Sequence, residues 1–216
     1  MSSHRSASGP VWKRLGIPLG GVAVLVGAML ADTTFVNEGE VGSFVAAEFS
    51  AEEYTDQLLV DLTQLMEETA VEAHVLAEAM REDPEQAGEQ YGNDIGSNRY
   101  GFAIEALGTA VEVDESFARI ELHADPDVDV RLPLSTALNG TPIRDALGVV
   151  SFGDFRDQTQ YQAVANEIRS RVEEDVIGPL DLEGLEGREI RVVGAWLSNG
   201  PPDTFVIHPV IAEVLE

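Results

Sequence analysis

Arg144, Asp145, Asp154, Gln158 and Tyr161 stand close together in the stretch from Asn139 to Val176, NGTPIRDALGVVSFGDFRDQTQYQAVANEIRSRVEEDV. A guanidinium, two carboxylates, an amide and a phenol can hydrogen-bond a small polar ligand, or tie one another into a charge-assisted network. These five are the candidate ligand-binding residues. Apolar Ile143, Leu147, Phe152 and Phe155 alternate with them, so an element that buries the apolar set also gathers the polar one. There is no nucleophile elbow G-x-S-x-G, no H-E-x-x-H and no G-x-x-x-x-G-K-[ST]. With 39 acids, close carboxylate pairs arise by chance and nominate no general acid. The expectation is a non-enzymatic protein with no catalytic residue, no metal ligand set and no cofactor.

The metal-like patterns support the same expectation. Asp125-x-Asp127-x-Asp129 opens like an EF-hand loop, but Val130 stands where glycine is needed and Thr136 where glutamate is needed. The triplet reads as a turn between strands. His74 lies among apolar helix positions with no second ligand at metal spacing. His123 and His208 fall on strands that a five-strand barrel keeps apart.

The elements that would position these residues follow from period and punctuation. Thr141, Pro142 and Gly148 mark a short helix with threonine as the cap. Asp157 caps a longer one, with Gln160 as the reciprocal partner of a capping box. Tyr161, Val164, Ala165, Ile168, Val172 and Val176 form its apolar stripe, and Gly178-Pro179 ends it. Before this helix the period is two. A long strand runs from Tyr100 to Val113 with a bulge or bend expected at Gly108. Phe117–His123 and Val128–Leu134 follow, with Ala118, Ile120 and Leu122 opposite Phe117, Arg119, Glu121 and His123. After the helix come Glu189–Leu197 and Thr204–Val214. Three strands, a helix and two strands are the layout of an OB-fold, with the helix as plug. A ferredoxin-like sandwich is the runner-up, weakened by its need for a second helix among the strands.

Upstream, Ser50-Ala51-Glu52-Glu53 opens a helix that breaks at Glu67–Ala70. A second helix runs to Asp83-Pro84, and a short third ends at Gly92. The first two are expected to form a hairpin, and Asn93–Tyr100 a turn-rich linker. The fold class is thus α+β: an N-terminal membrane helix, a helical hairpin, then an OB-like five-strand β-barrel with a helix between strands 3 and 4. The corresponding regions are 1–14, a cytoplasmic tail; 15–31, an anchor or signal segment; 32–99, a helical extension; and 100–216, the barrel.

Leu15 to Ala31 contains no charge, with Arg5, Lys13 and Arg14 before it and Asp32, Glu38 and Glu40 after. That asymmetry puts the tail in the cytoplasm and the rest outside. At about 25 Å as a helix the segment is short for a span. The alternatives are a cleaved signal, with Val26-Gly27-Ala28 as a small-residue match, and a buried cytoplasmic helix. All 39 acids follow Ala31, and the formal net charge is −26. So acidic a surface repels phosphate backbones and excludes nucleic acid as a partner. Cysteine is absent, which removes disulfides, thiolate sites and a lipidated thiol from these 216 residues.

The chain resembles a bacterial family of predicted periplasmic lipoproteins of unknown function. The resemblance runs through Asp32-Thr33-Thr34-Phe35-Val36, Asp83-Pro84 to Tyr91-Gly92, Gly108-Thr109 and Gly140-Thr141-x-Ile143-Arg144-Asp145-Ala146. It continues in Phe152-x-Asp154-Phe155-x-x-Gln158-x-x-Tyr161, Gly194-Ala195 and His208-Pro209-Val210. It covers nearly all of residues 32 to 214. It implies an extracytoplasmic protein anchored at the membrane, and no catalytic residues. Many relatives look lipidated, whereas here the anchor must be the helix itself, or nothing. Family members are often encoded beside sugar ABC-importer genes, which implies importer components or a saccharide as partners. On the barrel, a binding face is expected on the second and third strands and on the loops Asp114–Ser116 and Ser198–Asp203. An enzyme with an unrecognised site and a structural envelope protein are the competing expectations.

Overall fold

The strand expected from Tyr100 forms as β3 (Tyr100–Val113), the spine of the sheet. The computed structural model describes residues 49–198 and 203–215; the anchor segment 15–31, its exit 32–48 and positions 199–202 of the last turn lie outside them. Among the described residues no helix is long and apolar enough to cross a membrane. β3 pairs antiparallel with β4 (Phe117–Leu122) on one edge and with β6 (Glu189–Leu197) on the other. β4 pairs with β5 (Asp129–Pro133). The last strand breaks at Ile207. β7 (Thr204–Val206) runs parallel to β5, and β8 (His208–Val214) antiparallel to β6. The Ile207 N–H donates to the carbonyl of Arg131 at 3.0 Å, so one continuous segment joins both ends of the sheet. The ring closes in the OB order, with third and fifth strands parallel, and a ferredoxin-like sandwich is excluded because no open edge pair remains. The irregular register of β3 lies between Ala110 and Glu112, just past the expected Gly108.

Alternation decides the interior. Phe102, Ile104, Ala106, Ile120, Leu132, Val192 and Phe205 are buried inside the barrel wall. α5 (Gln158–Val172) presents Val164, Ala165, Ile168 and Val172 as its buried stripe, as the sequence period requires. The Asp157 carboxylate accepts from the Thr159 and Gln160 N–H groups, each at 3.0 Å. The other half of the expected capping box differs: Gln160 Oε1 takes the Arg156 N–H, one residue before the cap. Beyond Val172 the helix widens through one π turn, Glu173–Ile177, and stops at Gly178.

α1 (Ala51–Thr69) packs mainly on α5, β3, β6 and β8, burying Leu62 and Met66. The expected hairpin does not form. Ala70 leaves the helix with ψ 134°, and β1 (Val71–Glu72) pairs with β3 at Ile104 and Glu105. That pairing carries the chain onto the sheet instead of back along α1. α2 (Ala73–Glu82) then packs on α3 (Pro84–Tyr91) and β3. The described helices from Phe49 on form one compact unit with the barrel. Asn93–Tyr100 is not a linker either. β2 (Asn93–Asp94) pairs back on β3 at Tyr100 and Gly101, closing a hairpin through Gly96, Ser97 and Asn98, all at positive φ.

His208, at the start of β8, is 9% exposed and accepts the Asn139 N–H on Nδ1 at 3.2 Å. Burial pulls its pKa down to about 4, so the neutral imidazole carries its proton on Nε2. In the unfolded chain the ring titrates near 6.5, so the unfolded state binds the extra proton first as pH falls. Stability from this group is complete above about pH 6.5 and is lost down to about pH 4, roughly 3 kcal/mol in all. His208→Asn keeps an acceptor for the Asn139 N–H without a titrating ring. Denaturant melts of both proteins at several pH values should show the wild type losing that extra stability between pH 6.5 and 4. Parallel pH profiles would contradict this.

Candidate functional site

The short helix α4 (Gly140–Asp145) brings the polar cluster together. Its cap is Asn139, not the expected Thr141: Asn139 Oδ1 accepts the Thr141 N–H at 2.9 Å. The helix therefore begins at Gly140, where the backbone presses on α5. A Cβ at Gly140 would stand 2.0 Å from the carbonyl oxygen of Ala165. After Asp145 the chain turns out through Gly148 at φ +64°, the stop read from the sequence.

This close contact drives Arg144 into the space between α4 and α5, where its side chain is 3% exposed. Its Nε and Nη2 donate to the two carboxylate oxygens of Asp145 at 2.6 and 3.0 Å, and Nη1 donates to the Tyr161 carbonyl at 2.7 Å. The guanidinium also lies 3.4 Å from the centroid of the Tyr161 ring, a cation–π stack. The Tyr161 hydroxyl closes the ring of bonds by donating to Asp145 Oδ1 at 2.9 Å. Burial, and then the bond to Asp145, push the Tyr161 phenol upward, so it stays a donor. Phe152 and Phe155 meet the same ring edge-on or tilted at 5.5 and 5.4 Å.

Asp154 and Gln158 do not join. Asp154 is exposed, and its carboxylate accepts the Ser151 N–H at 2.9 Å as the cap of a 3-10 turn. Gln158 is exposed in the first turn of α5 and makes no side-chain hydrogen bond among the described residues. Local capping geometry took the one, and the helix phase turned the other outward.

Asp145 and Tyr161 form the back of an open cleft of about 310 Å³. Its other walls are Asn93, Asp94, Ile95 and Arg99 of the β2–β3 hairpin, Thr141 of α4, Gly148 and Val150 in the turn after it, and Leu197 at the end of β6. Arg144 closes the wall from behind and commits the Asp145 carboxylate. Four of the hydrogen-bonding wall residues, Asn93, Asp94, Arg99 and Thr141, were not among the sequence candidates. The Gly96-Ser97-Asn98 turn was the available signal, since residues tolerant of positive φ between extended segments mark a hairpin.

A family model described as "Predicted periplasmic lipoprotein (DUF2291)" matches residues 22–213. The chain belongs to this family. Membership sets the bulk of the DUF2291 chain outside the cytoplasm, in a membrane-anchored protein. No curated protein matches the sequence significantly. A crystal structure of an OB-fold protein from Thermotoga maritima is similar, with TM-score 0.62 and 21% identity over 77% of this chain and 99% of that one. At that identity the likeness concerns the fold, and it agrees with the closed ring of strands.

On this DUF2291 barrel the usual OB binding face carries paired charges. Arg119 lies 3.6 Å from Glu112, and Arg131 2.6 Å from Asp129. In the loop Asp114–Ser116, the Asp114 carboxylate accepts the Ser116 and Phe117 N–H groups at 2.6 and 2.8 Å, which holds it well below the usual carboxylate range. The metal-like residues also have partners. Asp125 pairs with Arg81 at 3.0 Å, and His123 meets Thr109 at 3.2 Å and Glu189 at 3.6 Å. His74 is a third exposed and lies 3.4 Å from Glu72.

Proposed function

We propose that this protein is a membrane-tethered, extracytoplasmic, non-enzymatic binding module that holds a small saccharide in the cleft behind α4, as an accessory of a solute importer. The observation that carries the reading is the cleft itself. Hydrogen-bonding side chains from a pinned hairpin and a pinned helix surround a wall whose groups are held rigid by Arg144. Pockets of this size suit ligands of monosaccharide scale, bound by a few fixed polar groups. The commitment of Asp145 to Arg144 and Tyr161 leaves it poorly placed as a base and well placed as a fixed acceptor. The tether is assigned to Leu15–Ala31, an uncharged run with basic residues before it and acidic residues after it. The importer role is supported by the family resemblance alone.

Thermal melts of the full chain in detergent, against a panel of neutral monosaccharides and sugar acids, test the reading. A ligand at about 100 times its Kd adds about 2.7 kcal/mol, which raises Tm by about 5–10 °C in a chain of this size. A saturable rise with one panel member is expected. A flat response to the whole panel would favour a structural envelope protein.

A further inference from the structure

The cleft also carries a charge that no carboxylate among the described residues satisfies. Ten arginines lie among the described residues, surrounded by far more acids. Eight of them make ion pairs with carboxylates. Arg99 and Arg188 make none among the described residues, and Arg99 lines the candidate cleft. The two carboxylates that share the cleft with it are already engaged. Asp94 Oδ1 accepts the Gly96 N–H at 2.7 Å, and Asp145 is held by Arg144 and Tyr161. The backbone of Arg99 is fixed on both sides of the turn. Its carbonyl accepts the Ile95 N–H at 3.0 Å, and its N–H donates to Gly96 at 3.3 Å. Ser97 and Asn98 hold φ of 59° and 56° to make that turn, a conformation that costs non-glycine residues energy and is retained where the surroundings demand it.

A free guanidinium on a rigid mount is suited to a carboxylate, which it can grip with two parallel hydrogen bonds. The local charge permits this. Asp94 and Asp145 are balanced by Arg99 and by Arg144 behind the wall, whereas the whole chain carries −26. A monoanion is thus tolerated at this cleft and repelled over most of the remaining surface. Asn93 and Thr141 line the same cleft as neutral partners for hydroxyl groups.

We infer that the ligand of this cleft is a sugar acid, a polyhydroxy monocarboxylate of monosaccharide size, with its carboxylate on Arg99. This rests on the cleft-binding reading above and narrows it. The test is calorimetric titration of the full chain in detergent with glucuronate, galacturonate and gluconate, beside glucose, galactose and glucose 6-phosphate. At least one sugar acid should bind about tenfold or more tightly than its neutral parent, the worth of one charge-assisted hydrogen bond. Arg99→Gln should remove that preference. Its Tm should stay at the wild-type value, because Arg99 is exposed and its side chain holds no partner among the described residues. Equal binding of a neutral sugar, undisturbed by Arg99→Gln, would overturn the sugar-acid assignment and leave the cleft reading standing. Preference for the sugar phosphate would do the same. Absence of binding by every compound to a chain that still melts cooperatively would overturn both.

Discussion

Arg144→Ala is expected to lower the unfolding free energy by about 3–5 kcal/mol, the cost of breaking a buried ion pair by removing one partner. The loss has three parts. The Asp145 carboxylate loses both guanidinium donors. The Tyr161 carbonyl loses its donor inside α5, and the Tyr161 ring loses the cation stacked on its face. The side chain of Asp145 is 23% exposed, so water can reach part of the stranded charge and the lower end of the range applies. Arg144→Lys should recover only part of the loss, because one ammonium cannot serve both carboxylate oxygens and the carbonyl together. Urea titration of the three proteins measures this. A loss below about 0.5 kcal/mol, the size of an ordinary surface change, would mean that the cluster does not hold α4 on α5.

Ile168→Ala is expected to cost about 2–5 kcal/mol, from lost transfer energy and the cavity left under the barrel. Ile168 is fully buried at the centre of the α5 stripe, between Val164 and Val172. Its neighbour Arg169 sits on the flank of the helix and would, by helix phase alone, be an exposed and nearly neutral position. The structure corrects that expectation. Arg169 Nε donates to the Leu138 carbonyl at 3.1 Å and Nη2 to the Ser135 carbonyl at 3.3 Å, where Ser135 has φ +43°. Arg169→Ala should therefore cost about 1–2 kcal/mol, more than a surface change and less than Ile168→Ala. Equal losses at the two positions would show that α5 is not seated as a plug.

Much of this architecture was legible from periodicity. The strands alternate as Ala118, Ile120 and Leu122 do, and the α5 stripe falls where the helical period puts it. The break of the last strand was only faintly legible: Pro209 interrupts the strand-like run Thr204–Val214, but the change of partners at Ile207 is set by closure of the sheet. The hairpin expectation for the first two helices failed for a related reason. The two-residue β1 is too short to show a period, yet its pairing with β3 redirects the chain. Of the five candidate site residues, Arg144, Asp145 and Tyr161 meet and Asp154 and Gln158 do not. Sequence proximity grouped all five, while burial of α4 against α5 selected three. Asn93 and Arg99 reach the cleft only through β2 pairing with β3, a contact that local sequence does not encode.

In the proposed mode of binding, a small ligand sits between the β2–β3 hairpin and α4, away from the face that OB barrels ordinarily use. Amide hydrogen exchange of the full chain, with and without a saturating sugar acid, tests it most directly. Added protection is expected at residues 93–99 and 141–148, with the exchange of β4 and β5 unchanged. Protection confined to Asp114–Ser116 and the outer edges of β4 and β5, or no protection anywhere, would contradict it.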